Sequence, residues 1–91
     1  MKKLFPSGQF KKDYKRIQHN PKKKVALQVV LELLANEIPL PANYSPHFLQ
    51  GKYKGCMECH IESDFLLIWV DEKNDIIELV RLGSHSELFG K

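Results

Sequence analysis

Residues 65–70 form the longest uninterrupted apolar run of the 91-residue chain, six residues from Phe65 to Val70. A run that is apolar on both faces is typical of a strand at the centre of a sheet. It is far too short for the roughly 20 residues that a membrane-spanning helix needs. The polar turn 71–75 separates it from a second apolar stretch, 76–82, and so short a connection favours an antiparallel pair. We therefore expect a sheet with residues 65–70 at its centre.

A third strand is predicted at residues 53–61, where side chains alternate between the two faces of a sheet. One face carries Cys56, Glu58 and His60, and the other carries Met57, Cys59 and Ile61. The first of these faces is the more polar. At the end of the stretch 76–82, Gly83 is expected to break the strand and Ser84 to cap a terminal turn.

The N-terminal third predicts a short strand and a pair of helices. Residues 2–5 are expected to form the strand. Apolar side chains recur at helical spacing in residues 10–17 and again in residues 22–36, which predicts an αα-hairpin. The residues expected to begin these helices are the N-caps Ser7 and Asn20, with Pro21 at the first helical position.

Residues 38–51 are expected to form a long loop, because they include three prolines, which lack a backbone donor. Long ordered loops are often functional. The predicted order is β-α-α-β-β-β plus a C-terminal turn. This is an α+β fold, with an N-terminal strand and a helical hairpin packed on a small, mainly antiparallel sheet. A chain of this size buries about two-thirds of its surface, which supports a single domain over residues 1–91.

Basic side chains are concentrated at the N-terminal end of the chain. Residues 1–24 carry nine Lys or Arg against one acidic residue, whereas residues 25–91 carry five against ten. This asymmetry suggests a basic surface for a polyanion, with a solvated pair of helix faces as the alternative. The lysines concerned are Lys11, Lys12, Lys22, Lys23 and Lys24.

Cys56 and Cys59 are the two cysteines of the chain and, with His60, match the C-x-x-C-H spelling of covalent haem attachment. On a strand the two thiols point to opposite faces, which argues against this motif and against a two-thiolate zinc site. Both are expected to be structural cysteines, and no cofactor is expected.

Three histidines lie where neighbouring strands can bring them together. His47 is in the long loop, His60 is on the polar face of strand 53–61, and His85 follows the last strand. Asp64 opens the central strand shortly after His60. Imidazole takes and gives a proton near neutral pH, so this group suits general acid–base chemistry. A metal site formed by the three histidines and unrelated surface histidines are the alternatives.

Two further side chains near the C-terminus are candidates for contacts with nucleic acid. Arg81 is the only arginine after residue 16, and a guanidinium matches phosphate bidentately. The alternative for Arg81 is an ion pair with Glu78 or Glu62. Phe89 is expected either to pack in the core or to expose its ring for stacking on a base.

Four short motifs in the C-terminal half stand at a specific mutual spacing. They are Ile38-Pro39-Leu40-Pro41, His47-x-Leu49-x-Gly51, Glu58-Cys59-His60-Ile61 with Asp64, and Arg81-Leu82-Gly83-Ser84-His85-Ser86-Glu87-Leu88-Phe89. As a set they resemble the YafQ branch of the RelE/ParE-like toxins of bacterial toxin–antitoxin pairs. The likeness covers residues 38–90, whereas residues 1–37 match only by the order of their elements.

This resemblance implies a compact α+β toxin of a type II toxin–antitoxin pair that cleaves mRNA on the ribosome without a metal and inhibits translation. Its implied partners are the ribosome, mRNA and a cognate antitoxin, with a monomeric toxin that forms a hetero-oligomer with the antitoxin. A cytoplasmic location is expected, because the sequence shows neither a membrane span nor a secretory signal. The matching active-site positions are His47, His60, Asp64 and His85, with Phe89 as the C-terminal aromatic residue and Arg81 as a basic position.

Three positions depart from the family's pattern. Met57 stands where relatives usually carry arginine, Pro46 where they often carry aspartate, and Ser63 where they often carry proline. The first change is expected to remove a positive charge near the site. The other two are expected to change only the geometry of loops.

The resemblance and the titratable residues together suggest one mechanism. The 2′-hydroxyl of RNA can attack the adjacent phosphorus, so the protein needs to supply an acid, a base and stabilisation of the phosphorane charge. We expect Asp64, His47 or His60 as the base, His85 as the acid, and Arg81 as the group that offsets charge. The alternatives are a ParE-like toxin that binds a protein target such as gyrase, and an RNA-binding module without catalysis.

Overall fold

The computed structural model describes residues 1–90, and the expected single domain ends at Lys91, outside the described residues. No helix in the described range is long and apolar enough to span a bilayer. Short 3-10 turns lie at Ala42–Tyr44 and Gly51–Tyr53. The strands and α-helices are β1 (Lys3–Pro6), α1 (Gly8–Ile17), α2 (Pro21–Ala35), β2 (His47–Phe48), β3 (Met57–Glu62), β4 (Phe65–Glu72), β5 (Ile76–Gly83) and α3 (His85–Phe89).

The strands form one sheet in the order β1-β5-β4-β3-β2. β1 is parallel to β5, and the other neighbouring pairs are antiparallel. β4 lies in the middle of the sheet, and its residues 65–69 are all buried. The predicted central strand and the predicted α+β fold are therefore confirmed.

Both helices of the N-terminal hairpin begin at the predicted caps. The hydroxyl of Ser7 accepts a hydrogen bond from the backbone N–H of Phe10 at 3.0 Å. The side-chain oxygen of Asn20 accepts one from the backbone N–H of Lys23 at 3.1 Å, and Pro21 is the first residue of α2. Such a cap stabilises a helix by about 1 kcal/mol, so local sequence fixes where each helix starts.

The sheet buries apolar side chains on both faces, but unequally. α1 and α2 cover one face, and the large core there is called the helix-side core. The other face carries a small cluster of Leu66, Ile68 and Leu88, called the site-side cluster, and α3 packs on it through Leu88. Because only a short helix lies on this second face, polar groups have room beside it. The buried residues of the helix-side core are Phe10, Ile17, Leu27, Val30, Cys59, Ile61, Phe65, Leu67, Trp69, Ile77, Leu79 and Leu82.

The prediction of a continuous loop over residues 38–51 is wrong, because β2 lies within it. In β2, His47 is opposite Glu58 of β3, and Phe48 is opposite Met57. A strand of two residues is too short to show an alternating pattern, so the sequence gives no local signal for it. β3 also starts later than predicted, because residues 51–53 form a 3-10 turn.

The two cysteines lie on opposite faces of the sheet and are free thiols. Cys59 is fully buried in the helix-side core, and Cys56 is half-buried against the site-side cluster. Burial raises the pKa of the Cys59 thiol to about 12 and also raises that of Cys56. Because the thiolate is the reactive form, both positions fit the predicted structural role.

Candidate active site

Three imidazole rings form a row on the face of the sheet that carries the site-side cluster. The ring centroids of His47 and His60 are 6.3 Å apart, and those of His60 and His85 are 5.7 Å apart. β2, β3 and α3 supply one ring each. The predicted convergence of these residues is confirmed, and His47, His60 and His85 are called the imidazole row below.

The register of the sheet explains why the first two rings meet. Residues directly opposite each other on antiparallel strands point to the same face. Glu58 is opposite both His47 on β2 and Ile68 on β4, and His60 is opposite Leu66. Since Leu66 and Ile68 belong to the site-side cluster, their partners lie on that face too.

Asp64, in the turn between β3 and β4, holds the third ring. Its Oδ1 accepts hydrogen bonds from the backbone N–H of His85 at 2.9 Å and from Nδ1 of the same residue at 3.1 Å. These two bonds lower the pKa of Asp64, so it is a carboxylate at neutral pH. Because a carboxylate only accepts, Nδ1 of His85 carries a proton. Nε2 is therefore the ring atom left to exchange a proton with a ligand.

The start of α3 depends on a glycine and a capping box. Ser84 is the predicted cap, and its hydroxyl accepts from the backbone N–H of Glu87 while a Glu87 oxygen accepts from the N–H of Ser84. Gly83 has a φ of +154°, and a Cβ there would lie 2.6 Å from Oε1 of Glu87. Position 83 therefore requires glycine, and the close turn sets His85, the first residue of α3, against Asp64.

Glu58 is a buried carboxylate beside the imidazole row, and the sequence reasoning did not single it out. It is 3% exposed. Its Oε1 lies 3.1 Å from Nε2 of His47, and its buried Oε2 has no hydrogen-bond partner within residues 1–90. The ring of His47 is also fixed by Nδ1, which donates to the carbonyl of Ser45 at 2.7 Å. The sequence signal that could have identified Glu58 is the alternation along β3, which places it on the same face as His60.

Arg81 pairs with Asp13, so the expected alternative partners Glu78 and Glu62 are wrong. Nε of Arg81 donates to Oδ2 of Asp13 at 2.8 Å, and Nη2 donates to Oδ1 at 3.2 Å. Asp13 also accepts from the backbone N–H of Leu82 at 3.0 Å. β1 pairs with β5 only as far as residue 79, so α1 meets the free edge of β5 beyond that point. Asp13 and Arg81 are called the buried ion pair below.

The buried ion pair is charged and well bonded. Burial alone raises the pKa of Asp13, but hydrogen bonds from Arg81, the N–H of Leu82 and Gln9 outweigh this and hold the pKa below its usual value. The bond with Asp13 raises the pKa of Arg81. The guanidinium also donates from Nη1 to the hydroxyl of Tyr53 at 3.1 Å. A phosphate-binding role for Arg81 stays a prediction. A bound phosphate would compete with Asp13 and Tyr53 for the hydrogen-bond donors of the guanidinium.

Phe89 exposes its ring beside the imidazole row, and 43% of the residue is accessible. Its centroid lies 6.1 Å from that of His85 and 5.9 Å from that of Tyr53, whose ring meets it edge-on. The neighbouring Leu88 is buried instead. Phe89 was expected either to pack in the core or to expose its ring, and in the structure the ring is exposed.

The five N-terminal lysines lie on α1 and α2, and four of them are exposed. Lys23 is half-buried, and its Nζ lies 5.1 Å from the centroid of the Phe65 ring. After the His85 hydrogen bonds, the charge of Lys23 also helps to lower the pKa of Asp64. Of the five lysines, Lys23 therefore acts electrostatically on Asp64, the carboxylate that holds His85. The exposed members are Lys11, Lys12, Lys22 and Lys24.

Met57 does not change the charge of the imidazole row, contrary to expectation. Its side chain packs against the helix-side core, because residue 57 alternates with Glu58 along β3. A side chain at this position therefore leaves the sheet on the face opposite the imidazole row. Pro46 precedes β2 and Ser63 lies in the turn before β4, both in connecting segments.

A metal site formed by the three histidines does not fit the geometry. Within residues 1–90, no three His, Cys, Asp or Glu side chains are grouped so that they could hold one metal ion.

An α+β sheet that groups His47, His60 and His85 with Asp64 agrees with the fold and site that the resemblance to toxins of type II toxin–antitoxin pairs implies. The chain matches, over residues 2–90, the family model described as the bacterial toxin of a type II toxin–antitoxin system, YafQ. The chain belongs to this YafQ family of type II toxins.

One relative and two solved structures match nearly all of the chain. The mRNA interferase toxin YafQ of Escherichia coli K12 is 40% identical over 85 residues, 92% of this chain and 91% of that protein. In the crystal structure of the E. coli DinJ–YafQ complex, the matching chain has a TM-score of 0.85 at 37% identity, covering 99% of this chain and 100% of that chain. The crystal structure of a metal-bound toxin from Helicobacter pylori has a TM-score of 0.87 at 41% identity, with coverage of 98% and 100%.

Proposed function

We propose that this toxin is an endoribonuclease that cleaves mRNA on the ribosome and thereby inhibits translation. The observation that carries this proposal is the imidazole row, with rings 5.7 and 6.3 Å apart and Asp64 bonded to one of them. The name of the E. coli relative, an mRNA interferase, supports the same activity. RNA carries its own nucleophile, so acid–base groups on the protein are sufficient for the reaction.

His60 is the proposed base because it lies between the other two rings. A phosphodiester bound at His60 is then also within reach of His85. Asp64 is a weaker base, since the two hydrogen bonds from His85 lower its pKa. His47 is also less suitable, because its Nδ1 donates to a carbonyl and its Nε2 lies against Glu58.

His85 is the proposed acid, with Asp64 as the group that orients it. His60 takes the proton of the 2′-hydroxyl, and the 2′-oxygen bonds to the phosphorus. The bond from phosphorus to the 5′-oxygen breaks, and Nε2 of His85 gives its proton to that oxygen. The products are a 2′,3′-cyclic phosphate and a 5′-hydroxyl. Each of the two proton transfers contributes about 10²- to 10⁴-fold to the rate.

Contacts with RNA are proposed for the exposed ring of Phe89 and for the five N-terminal lysines of α1 and α2. Phe89 lies beside His85 and can stack on a base next to the cleaved bond. Lysine contacts to phosphate position a protein without reading sequence, which suits docking on ribosomal RNA. Arg81 is a weaker phosphate contact than a free guanidinium, because Asp13 offsets its charge. The proposed docking lysines are Lys11, Lys12, Lys22, Lys23 and Lys24.

A cognate antitoxin is the proposed protein partner. The family consists of toxins of type II toxin–antitoxin systems, and E. coli YafQ has been crystallised with DinJ. We propose that the toxin alone is a monomer, that it forms a hetero-oligomer with the antitoxin, and that it acts in the cytoplasm, where mRNA is translated.

The test is incubation of toxin that has been stripped of metals with EDTA and dialysed, with translating ribosomes in buffer that holds Mg²⁺ as its one added divalent ion, followed by mapping of the mRNA ends. We expect cleavage with 2′,3′-cyclic phosphate or 3′-phosphate ends. Loss of cleavage after EDTA treatment of the toxin, with recovery on adding a transition metal to it, would contradict the mechanism.

Two other results would support the alternative functions. Growth arrest with intact mRNA and altered DNA supercoiling would indicate a ParE-like toxin that binds gyrase. Ribosome binding without cleavage would indicate an RNA-binding module. The close grouping of three imidazoles with Asp64 favours the nuclease, because a binding surface has no need of such a group.

A further inference from the structure

Tyr53 joins the buried ion pair to the imidazole row. Its hydroxyl accepts a hydrogen bond from Nη1 of Arg81 at 3.1 Å. Its ring meets Phe89 at a centroid distance of 5.9 Å and an interplanar angle of 80°. The ring of Phe89 in turn lies 6.1 Å from that of His85. A continuous set of contacts therefore runs from Asp13 to the proposed acid.

Arg81 is a rigid support for Tyr53 because its guanidinium is fixed by Asp13. The two hydrogen bonds to Asp13, at 2.8 and 3.2 Å, set the plane of the guanidinium. Asp13 is itself fixed by the backbone N–H of Leu82. Nη1 is thereby aimed in one direction, and the hydroxyl of Tyr53 lies there.

α3 has few other means of holding its exposed side chains. It is five residues long, and so short a helix is not stable by itself. Leu88 anchors it in the site-side cluster, and Asp64 bonds to its first residue, His85. Phe89 lies at the other end of the helix. Its edge contact with Tyr53 favours one orientation of the ring over others.

We propose that Tyr53 is a positioning residue for mRNA cleavage, which fixes Phe89 and, through it, the position of His85. The inference rests on the proposed function, because its effect on activity is read as cleavage. Tyr53 touches no reacting atom. In this account Arg81 and Asp13 contribute to the geometry of the site through Tyr53.

The test is a double-mutant cycle between Tyr53→Leu and Phe89→Leu, with kcat and KM measured for ribosome-bound mRNA. We expect Tyr53→Leu to lower kcat about tenfold, since misplacement of reacting groups can cost up to about 100-fold. It should add no further loss to Phe89→Leu, because it acts through that residue. Losses that multiply in the double variant would overturn the proposal.

Tyr44→Leu is the matched control. Tyr44 is also a partly buried tyrosine, but it packs against the helix-side core. In the folded protein this variant should leave kcat unchanged. If Tyr53→Leu does not fold, Tyr53→Phe replaces it, because it removes only the hydroxyl bonded to Arg81. A fall in kcat with Tyr53→Phe supports the proposal, and an unchanged kcat overturns it.

NMR spectra of the RNA-free toxin separate this inference from the proposed function. Tyr53→Leu should shift the ring protons of Phe89 and His85, and Tyr44→Leu should not. Unchanged shifts would overturn the positioning role even in a toxin that cleaves mRNA. If the ring-proton chemical shifts change as expected but the toxin cleaves no mRNA, the contacts of Tyr53 are supported and the proposed nuclease function is overturned.

Discussion

Two buried carboxylates in this molecule have opposite surroundings. Asp13 is 1% exposed, and its oxygens accept hydrogen bonds from Arg81 and from the backbone N–H of Leu82. Glu58 is 3% exposed, and one of its oxygens lies 3.1 Å from Nε2 of His47. Its other oxygen has no hydrogen-bond partner in the described part of the chain.

The difference follows from what each carboxylate meets in the fold. Asp13 on α1 reaches β5 where β1 has ended, so a free backbone N–H and a guanidinium are available. Glu58 lies between His47 on β2 and the apolar Ile68 on β4, where donors are scarce. A fully bonded buried charge supports the fold, whereas a partly bonded one is typical of functional sites. The fully bonded carboxylate therefore stabilises the fold, and the partly bonded one lies beside the imidazole row.

The largest expected effect on stability is that of Asp13→Asn. Removing one charge from a buried ion pair leaves the other unpaired, which costs about 3–5 kcal/mol of unfolding free energy. Urea denaturation measures this. The control is Asp71→Asn, because Asp71 pairs with Lys2 at 2.7 Å but is exposed, and such pairs contribute about 0–1 kcal/mol. Equal losses for the two variants would show that the buried ion pair is not special.

The next effect is that of Gly83→Ala, which tests whether backbone geometry holds the site. Alanine at a φ of +154° is strained and its Cβ would meet Glu87, so we expect a loss of more than about 1 kcal/mol. Cleavage should also slow, because α3 carries His85. Gly8→Ala is the control: its Cβ would meet nothing within 4 Å, and alanine suits α1. Normal cleavage by Gly83→Ala would mean that α3 tolerates displacement.

Glu58→Gln makes the same chemical change as Asp13→Asn, but we expect the opposite sign for stability. The amide removes the negative charge from this buried position, and a buried charge with few donors around it costs more than a neutral amide. The variant should therefore unfold at equal or higher urea concentration, with a stabilisation of about 1 kcal/mol. Cleavage should fall, because Glu58 holds the ring of His47, and that ring lies beside the proposed base His60 at a centroid distance of 6.3 Å. A destabilisation as large as that of Asp13→Asn would remove the contrast between the two carboxylates.

The smallest expected effect concerns acid stability and Asp64. The pKa of Asp64 is lowered in the folded state, mainly by the bonds from His85. A group of this kind stabilises the fold fully above its ordinary pKa, near 4, and the stabilisation is lost as pH falls through the lower folded-state value. Urea titrations between about pH 5 and pH 2 should show a slightly flatter slope for Asp64→Asn than for wild type. Because Asp64 is exposed, Asp13→Asn should flatten the slope more, and the reverse order would contradict the account.

Local patterns in the sequence predicted the elements and part of the site. Side chains that bond within their own turn, such as Ser7 and Asn20, define helix starts without reference to the rest of the fold. Period-two alternation likewise placed Glu58 and His60 on one face of β3. The central strand followed from its apolar composition on both faces.

The remainder depends on contacts between distant segments, and no local pattern carries it. Asp13 is one acidic residue in a basic helix, and its burial follows only from where β1 ends beside β5. The partner of Arg81 could not be predicted for the same reason. β2 exists because β3 is there to pair with it. The burial of Glu58 depends in turn on β2.

The most direct test of the central claim, that the imidazole row performs the chemistry, is single-turnover cleavage of ribosome-bound mRNA by toxin that has been treated with EDTA and dialysed. The variants are His60→Ala and His85→Ala, with His19→Ala as the control, because His19 lies exposed in the turn after α1. We predict that each of the first two slows cleavage by about 10²- to 10⁴-fold and that His19→Ala cleaves at the wild-type rate. Wild-type cleavage by folded His60→Ala and His85→Ala proteins would contradict the account.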